Sequence, residues 1–364
     1  MISNTAPMPP ADPTLEATVD DLMPQAPAPG GQGAPQVDSQ RVPDVVELQP
    51  HECVELMALA EELTVSPTEA PELFCRAAHR AARRLPDRLA EVLTDFAYHG
   101  SHTGTLLLDR LPLLEPPPTP PDNRSHLAEN TQLARAQAII NHACGQMVAY
   151  EAEGHGRLYQ DMVPNRAMAL SQTSLGSGVE LELHTEQAFS KLRPDVLSLA
   201  CLRGHPAAKT FVLPAHVLLE HMTPFERKLL RRDLWTTGVD GSFKLGGHEF
   251  KEGDVRGPLA IIDGAEDDPT IVFDQDLMSG VTEEAGAMIA RVVDIYRAER
   301  FSVTLEPGQI LLVDNLRAVH GRSPFTPNFD GSDRFISRSF AIRDLVRTRY
   351  ARPANSRTIA AEFS

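Results

Sequence analysis

Apolar residues recur at helical spacing between Cys53 and about Phe96, as in Leu56-Met57-Ala58-Leu59-Ala60-Glu61-Glu62-Leu63 and Ala77-Ala78-His79-Arg80-Ala81-Ala82. Such spacing lines one face of a helix, so this stretch predicts helices packed on the outside of a core. One longer helix is predicted from about Thr131 to Glu151, with Leu133, Ala136, Ile140, Cys144 and Met147 on a single face. From Val179 onward the period shortens and strands dominate. Val179-Glu180-Leu181-Glu182-Leu183, Thr270-Ile271-Val272-Phe273 and Gln309-Ile310-Leu311-Leu312-Val313 read as strands, with helices near 215–233 and 282–299 between them.

Other text separates these parts. Residues 1 to about 43 are rich in Pro, Ala, Gly and Gln, and bury too little apolar surface to offset their conformational entropy. They are expected to be mobile or to lie along the surface. Pro116-Pro117-Pro118-Thr119-Pro120-Pro121 is a stiff connection. Residues 44–364 then read as one domain, with a helical part over about 50–155 and a strand-rich core with a lid over about 156–350. Short strands with flanking helices fit a mainly β fold, a double-stranded β-helix (jelly roll, cupin-like) whose mouth holds the site. No Gly-x-Gly-x-x-Gly follows an early strand, which disfavours a doubly wound nucleotide fold.

Charge narrows the partners. The formal net charge is −16, from 34 Lys and Arg against 50 Asp and Glu, and no basic run interrupts it. That field argues against nucleic acid and anionic membranes. No apolar stretch has transmembrane length, and the N-terminus lacks a secretory signal, so a soluble cytoplasmic protein is expected. Cys53, Cys75, Cys144 and Cys201 are scattered and contain no Cys-x-x-Cys pair, and all are expected to be buried thiols.

The candidate chemistry centres on His184-Thr185-Glu186 and on His320, which closes Asp314-Asn315-Leu316-Arg317-Ala318-Val319-His320. Two histidines and one carboxylate can hold one face of an octahedral iron(II) and leave the other face open. Residues two apart on a strand share a side, so His184 and Glu186 can reach one ion while Thr185 faces away. Thirteen histidines and fifty acidic residues make a bare His-x-Glu common by chance. Arg334 and Arg338 strengthen it: four apart on a strand, both point to one face with Ile336 between them. Such a face is costly unless anions meet it, and a guanidinium takes a carboxylate in a bidentate fork. A surface ion pair is the alternative. Asp274 and Asp276 follow a strand and by alternation share a face, where two carboxylates repel unless a cation lies between them. A lysine ammonium or an arginine guanidinium would serve; an acidic turn in solvent is the other reading.

In order and spacing, His-Thr-Glu, Asp-Asn-x-Arg-x-x-His and two arginines four apart resemble the clavaminate-synthase-like iron(II)/2-oxoglutarate oxygenases over roughly residues 95–350. Within that family, Tyr150-Glu151-Ala152-Glu153-Gly154-His155-Gly156, Gln172–Ser177, Ser198–Gly204 and Phe273–Met278 look most like bacterial hydroxylases of free L-lysine at carbon 3. The resemblance implies the jelly-roll fold, with Fe(II), 2-oxoglutarate and O2 as cofactor and co-substrates. It implies that His184, Glu186 and His320 bind the metal, that Arg334 binds the distal carboxylate of 2-oxoglutarate, and that Arg338 binds the amino acid carboxylate. Asp274 and Asp276 resemble a pair that holds a substrate guanidinium in a related arginine hydroxylase. Glu153 stands where the family commonly has a glutamine facing the substrate α-amino group, with a salt bridge to Arg157 as its alternative. Ser242 resembles a lid serine near the basic side chain, although Gly241-Ser242 is also ordinary turn text. Related halogenases replace the metal carboxylate with a small residue, so Glu186 implies hydroxylation. An L-arginine hydroxylase on the same scaffold remains the nearest alternative. A non-catalytic jelly-roll binding protein and a zinc hydrolase are alternatives from other classes, the latter lacking a His-Glu-x-x-His signature.

Overall fold

The strand Val196–Arg203 is apolar at almost every position because both of its faces are covered. Val196, Ala200 and Leu202 enter one apolar cluster and Leu197, Leu199 and Cys201 another, as alternation along a strand requires. In the computed structural model, which describes residues 42–364, this strand lies inside an eight-stranded sheet. It pairs antiparallel with Ile310–Asp314 on one side and with Phe335–Ile342 on the other. The tail expected at residues 1–43 lies, up to residue 41, outside the described residues.

A smaller sheet runs in the order Phe301–Thr304, Lys209–Pro214, Ala318–Arg322, Leu181–His184. Its Val212, Phe301, Val303 and Ala318 share an apolar cluster with Leu197, Leu311, Ile336 and Phe340 of the larger sheet. The two sheets therefore face each other across a common core.

Four helices, α1 (Pro50–Glu61), α2 (Pro71–Ala82), α3 (Asp87–His99) and α4 (Gln132–Cys144), cover the outer face of the larger sheet. Thr131 starts α4 by accepting the Ala134 N–H at 3.2 Å, a cap whose loss costs about 1 kcal/mol. The helix expected to reach Glu151 stops at Cys144, and Gln146–Tyr150 is a strand paired with Phe340–Ile342. Met147 and Val148 suit either period, and the open ladder of the neighbouring strand decides between them. A Cβ at Gly145 would sit 2.7 Å from the Ile342 carbonyl oxygen, so a bare backbone makes the junction. Buried Gln137 and Asn141 fasten α4 to the sheet by donating to Ser198 and Ser339 hydroxyls at 3.0 and 2.7 Å.

Behind the smaller sheet, α5 (Ala215–Glu220), α6 (Pro224–Leu230) and α8 (Glu283–Glu299) pack on Leu183, Leu213 and Val319, while α7 (Gly241–Lys244) is a single turn. The stretch 215–233 is thus two helices. Thr223 and Glu226 form a reciprocal cap that restarts the chain at Pro224. The proline connection is irregular, as expected, and Arg203 donates to the Pro116 and Pro117 carbonyls at 2.9 and 2.6 Å. Cys75, Cys144 and Cys201 are buried thiols, whereas Cys53 is only half-buried because its Sγ faces the Arg110 carbonyl at the edge of α1. No helix among the described residues is long and apolar enough to cross a membrane.

Candidate active site

The outermost strand of the smaller sheet and its neighbour bring the three expected metal residues together. His184 ends the edge strand and stands directly opposite His320 on the neighbouring strand. Their ring centroids are 4.4 Å apart. Glu186 Oε2 lies 3.9 Å from His320 Nε2, and one ligand atom from each of the three residues falls within 4.8 Å of the others. Alternation alone does not deliver Glu186: the strand stops at His184, the Thr185 N–H donates to the Phe273 carbonyl at 2.8 Å, and Gln187 turns the chain at φ +55°. Buried Asn315 fixes the Glu186 backbone from across the fold, a contact that sequence reading missed although the Asp-Asn pair stood in the motif.

Proton positions suit metal binding. His184 Nδ1 lies 2.8 Å from the Glu182 carbonyl oxygen, which can only accept, so Nδ1 carries a proton and Nε2 is the nitrogen left to meet a metal. Burial holds His320 well below the ordinary histidine range, with His184 and Arg338 adding to the effect, so its imidazole is neutral. Two imidazoles and a carboxylate form a donor set that fits iron(II).

A cavity of 610 Å³ opens on this group, and Glu153, Ser242, Asp274, Asp276 and Arg338 all line it. Arg338 is buried and donates to Glu186 Oε1 at 3.0 Å and also to Glu153. Arg157 pairs instead with Glu129 at 2.6 Å, so the alternative partner for Glu153 is not taken. Burial pushes the Glu153 carboxyl up, and Arg338 pulls it back.

Asp274 and Asp276 are not on one strand face. The chain turns at Asp274, whose Oδ1 accepts the N–H groups of Asp276 and Leu277 at 3.0 and 2.9 Å. An aspartate side chain that closes its own turn ends the strand, and Asp276 becomes exposed. Asp274 is the half-buried member; desolvation raises it to about 6 while His184 beside it lowers it. Ser242 lies in α7, capped by Asp240, which accepts the Ser242 N–H at 2.6 Å. Asp240 and Glu182 also line the cavity, and sequence reading named neither.

Arg334 lies outside this lining. It is buried, with no hydrogen bond or ion pair among the described residues, and burial pulls it down to about 10. Arg322, two residues after His320 on the same strand, is lowered to about 9 by burial and by Arg334. It donates to carbonyl oxygens, the Ser174 oxygen at 3.1 Å among them. Two buried guanidiniums without a carboxylate fit a site for a carboxylate ligand. Ile336, Arg338 and Phe340 face the core between the sheets, whereas Phe335, Ser337 and Ser339 face α4.

No protein-family profile matches the chain. The chain is 50% identical over 321 residues to an L-lysine 3-hydroxylase of Catenulispora acidiphila, covering 88% of this chain and 90% of that protein. It is 32% identical over 309 residues to clavaminate synthase 2 of Streptomyces clavuligerus, covering 80% and 90%. A solved structure of an asparagine oxygenase in complex with Fe(II), 2S,3S-3-hydroxyasparagine and succinate matches at TM-score 0.81 and 29% identity, covering 87% of this chain and 99% of that one. A His-Glu-His group at a sheet edge, beneath an acidic cavity with one buried arginine, accompanies these likenesses. The chain belongs to the clavaminate-synthase-like iron(II)/2-oxoglutarate-dependent oxygenases.

Proposed function

We propose that the protein hydroxylates free L-lysine at carbon 3, consuming 2-oxoglutarate and O2 and releasing succinate and CO2. One observation carries this reading: the cavity at the triad joins a buried Arg338–Glu153 pair to a second acidic set, Asp274, Asp276 and Glu182. A zwitterion with a cationic side chain complements both sets. The relative at 50% identity carries the name of that activity.

His184, Glu186 and His320 would hold the iron, which when bound supplies the oxidative decarboxylation of 2-oxoglutarate coupled to C–H hydroxylation. Arg334 would take the distal carboxylate of 2-oxoglutarate. Arg338 would take the lysine carboxylate, Glu153 its α-ammonium, and Asp274 with Asp276 its ε-ammonium, with Ser242 beside the side chain on α7. Held at both ends, the substrate presents one carbon to the metal. Phe189 and Phe243, packed edge to face at 4.9 Å, wall the cavity and help keep water from it. Glu186 occupies the position that a halogenase would leave to chloride, which favours hydroxylation.

The two facing sheets with the triad at an edge support a double-stranded β-helix, and we read residues 44–364 as one oxygenase domain working in the cytoplasm. The test is incubation of purified protein with Fe(II), 2-oxoglutarate and each of the twenty amino acids, reading succinate and product mass. Lysine gaining one oxygen at carbon 3 is the expected result. Preferential turnover of arginine would replace the substrate, and succinate release with no amino acid product would sink the reading.

A further inference from the structure

Gln160 and Gln187 line the cavity at only 4% and 5% exposure, and each amide is paired at one end and unpaired at the other. Gln160 sits opposite Arg338 in strand register. Its Oε1 accepts from Arg338 Nε at 3.1 Å and also from Nη2. Its Nε2 is buried with no partner among the described residues. Gln187 is the converse: Nε2 donates to Glu153 Oε2 at 2.9 Å, and Oε1 is buried without a partner.

Orphaned buried polar atoms cost stability and are rare, so two at one place ask for an explanation. The backbone accommodates both. Gly154 has φ +58°, and a Cβ there would fall 2.3 Å from Gln160 Nε2, so a side chain at that position would displace the amide. Gln187 itself holds φ +55°, uncommon for a residue other than glycine. The two orphans are also opposite in kind, a donor beside Arg338 and an acceptor beside Glu153.

We propose that Gln160 and Gln187 complete a four-point seat for the substrate's α-amino-acid zwitterion, whose other two points are the Arg338 and Glu153 assigned above. Arg338 and the Gln160 Nε2–H groups meet the carboxylate, and Glu153 and Gln187 Oε1 meet the ammonium. In the free protein Arg338 and Glu153 neutralise each other; the zwitterion gives each a new opposite charge and both orphans a partner. The seat rests on the free-amino-acid reading above, yet it recognises only the part common to all α-amino acids. It requires both groups unblocked, which excludes residues within a peptide.

The test is calorimetric binding, without oxygen, to protein holding Fe(II) and 2-oxoglutarate. The ligands are lysine, cadaverine (no carboxylate) and 6-aminohexanoate (no α-amino group). Gln160→Met is expected to weaken lysine and 6-aminohexanoate about tenfold and to leave cadaverine within about twofold. Gln187→Met is expected to weaken lysine and cadaverine and to spare 6-aminohexanoate. Gln160→Glu keeps the oxygen facing Arg338 but exchanges the free NH2 for a charged oxygen. It should therefore bind lysine more weakly than Gln160→Met does, and it carries the test alone if a Met variant does not fold. Equal loss of all three ligands, no loss, or wild-type lysine affinity in Gln160→Glu would overturn the seat. Should the wild-type protein bind another free amino acid instead of lysine, the side-chain reading falls and the seat is tested with that amino acid's two truncated analogues. Binding of no free amino acid would sink both.

Discussion

Asn315 grips Glu186 by both polar groups of its backbone: Oδ1 accepts the Glu186 N–H at 2.7 Å and Nδ2 donates to the Glu186 carbonyl at 3.1 Å. Nδ2 also donates to the Pro194 carbonyl at 2.8 Å. The position of one metal carboxylate is therefore set by a residue 129 positions later in the chain. Asn315→Ala is expected to lower divalent-metal affinity about 10–100-fold, the usual scale for residues that orient ligands. Titration with Co(II), read by its absorption bands, checks this. Wild-type affinity in the variant would remove the clamp from the account.

The two arginines are expected to separate in both binding and stability. Arg334→Met should weaken 2-oxoglutarate and Arg338→Met the amino acid, each by about 1.5–3 kcal/mol for a lost charge-assisted contact. Without ligands, Arg334→Met removes a buried, unpaired cation and should leave the melting temperature unchanged or higher. Arg338→Met strands Glu153 and Glu186 and should lower it. Binding curves and thermal melts of both variants decide the assignment, and the same ligand failing in both contradicts it.

Because Asp274 is half-buried and Asp276 exposed, their contributions to the substrate ammonium should be unequal. Asp274→Asn keeps an oxygen for the turn but loses the charge, and should reduce lysine kcat/KM more than Asp276→Asn does. Norleucine, which lacks the ammonium, should be a very poor substrate because it covers the half-buried Asp274 carboxylate without pairing it. Comparable turnover of norleucine and lysine by the wild-type enzyme would refute the pairing.

Acid should destabilise the fold partly through His142 in α4. Both of its ring nitrogens are buried without partners among the described residues, and burial lowers its pKa from 6.5 to about 3, with Arg357 and His79 contributing. The folded protein keeps it neutral while the unfolded chain takes up a proton. Its contribution is thus fully present above about pH 6.5 and is lost as pH falls toward 3. Between pH 7 and 5 the wild-type unfolding free energy should fall by about 2 kcal/mol more than that of His142→Phe. Urea titrations at the two pH values measure the difference.

Local pattern carried much of this molecule. The helices of residues 50–99 and the strand before His320 follow from spacing, and the triad from residue chemistry joined to the order of motifs that resembles the family. What failed were decisions taken at a distance. Met147 and Val148 fit a helix until a neighbouring strand offered its ladder. Asp274 and Asp276 alternate on paper, yet Asp274 spends its side chain on a turn. Glu186 reaches the metal position through Asn315, and Gln160 and Gln187 gain meaning only from the atoms left unpaired beside Arg338 and Glu153.

The strand Leu181–His184 is four residues long and forms the rim of its sheet, joined to Ala318–Arg322 on one side. On its other side, among the described residues, it has only a single bridge, His184 to Asp274, with the Gln275 N–H donating to the Leu183 carbonyl at 3.0 Å, so little holds its end. An ion shared by His184 and His320 would rivet that rim to its neighbour at the last paired residue, making the cofactor a fastener of the architecture as well as its reagent. Amide hydrogens of residues 181–184 should accordingly exchange more slowly as iron is added, ahead of any amino acid. Resistance to proteases along this rim would then report how much of a preparation carries its metal.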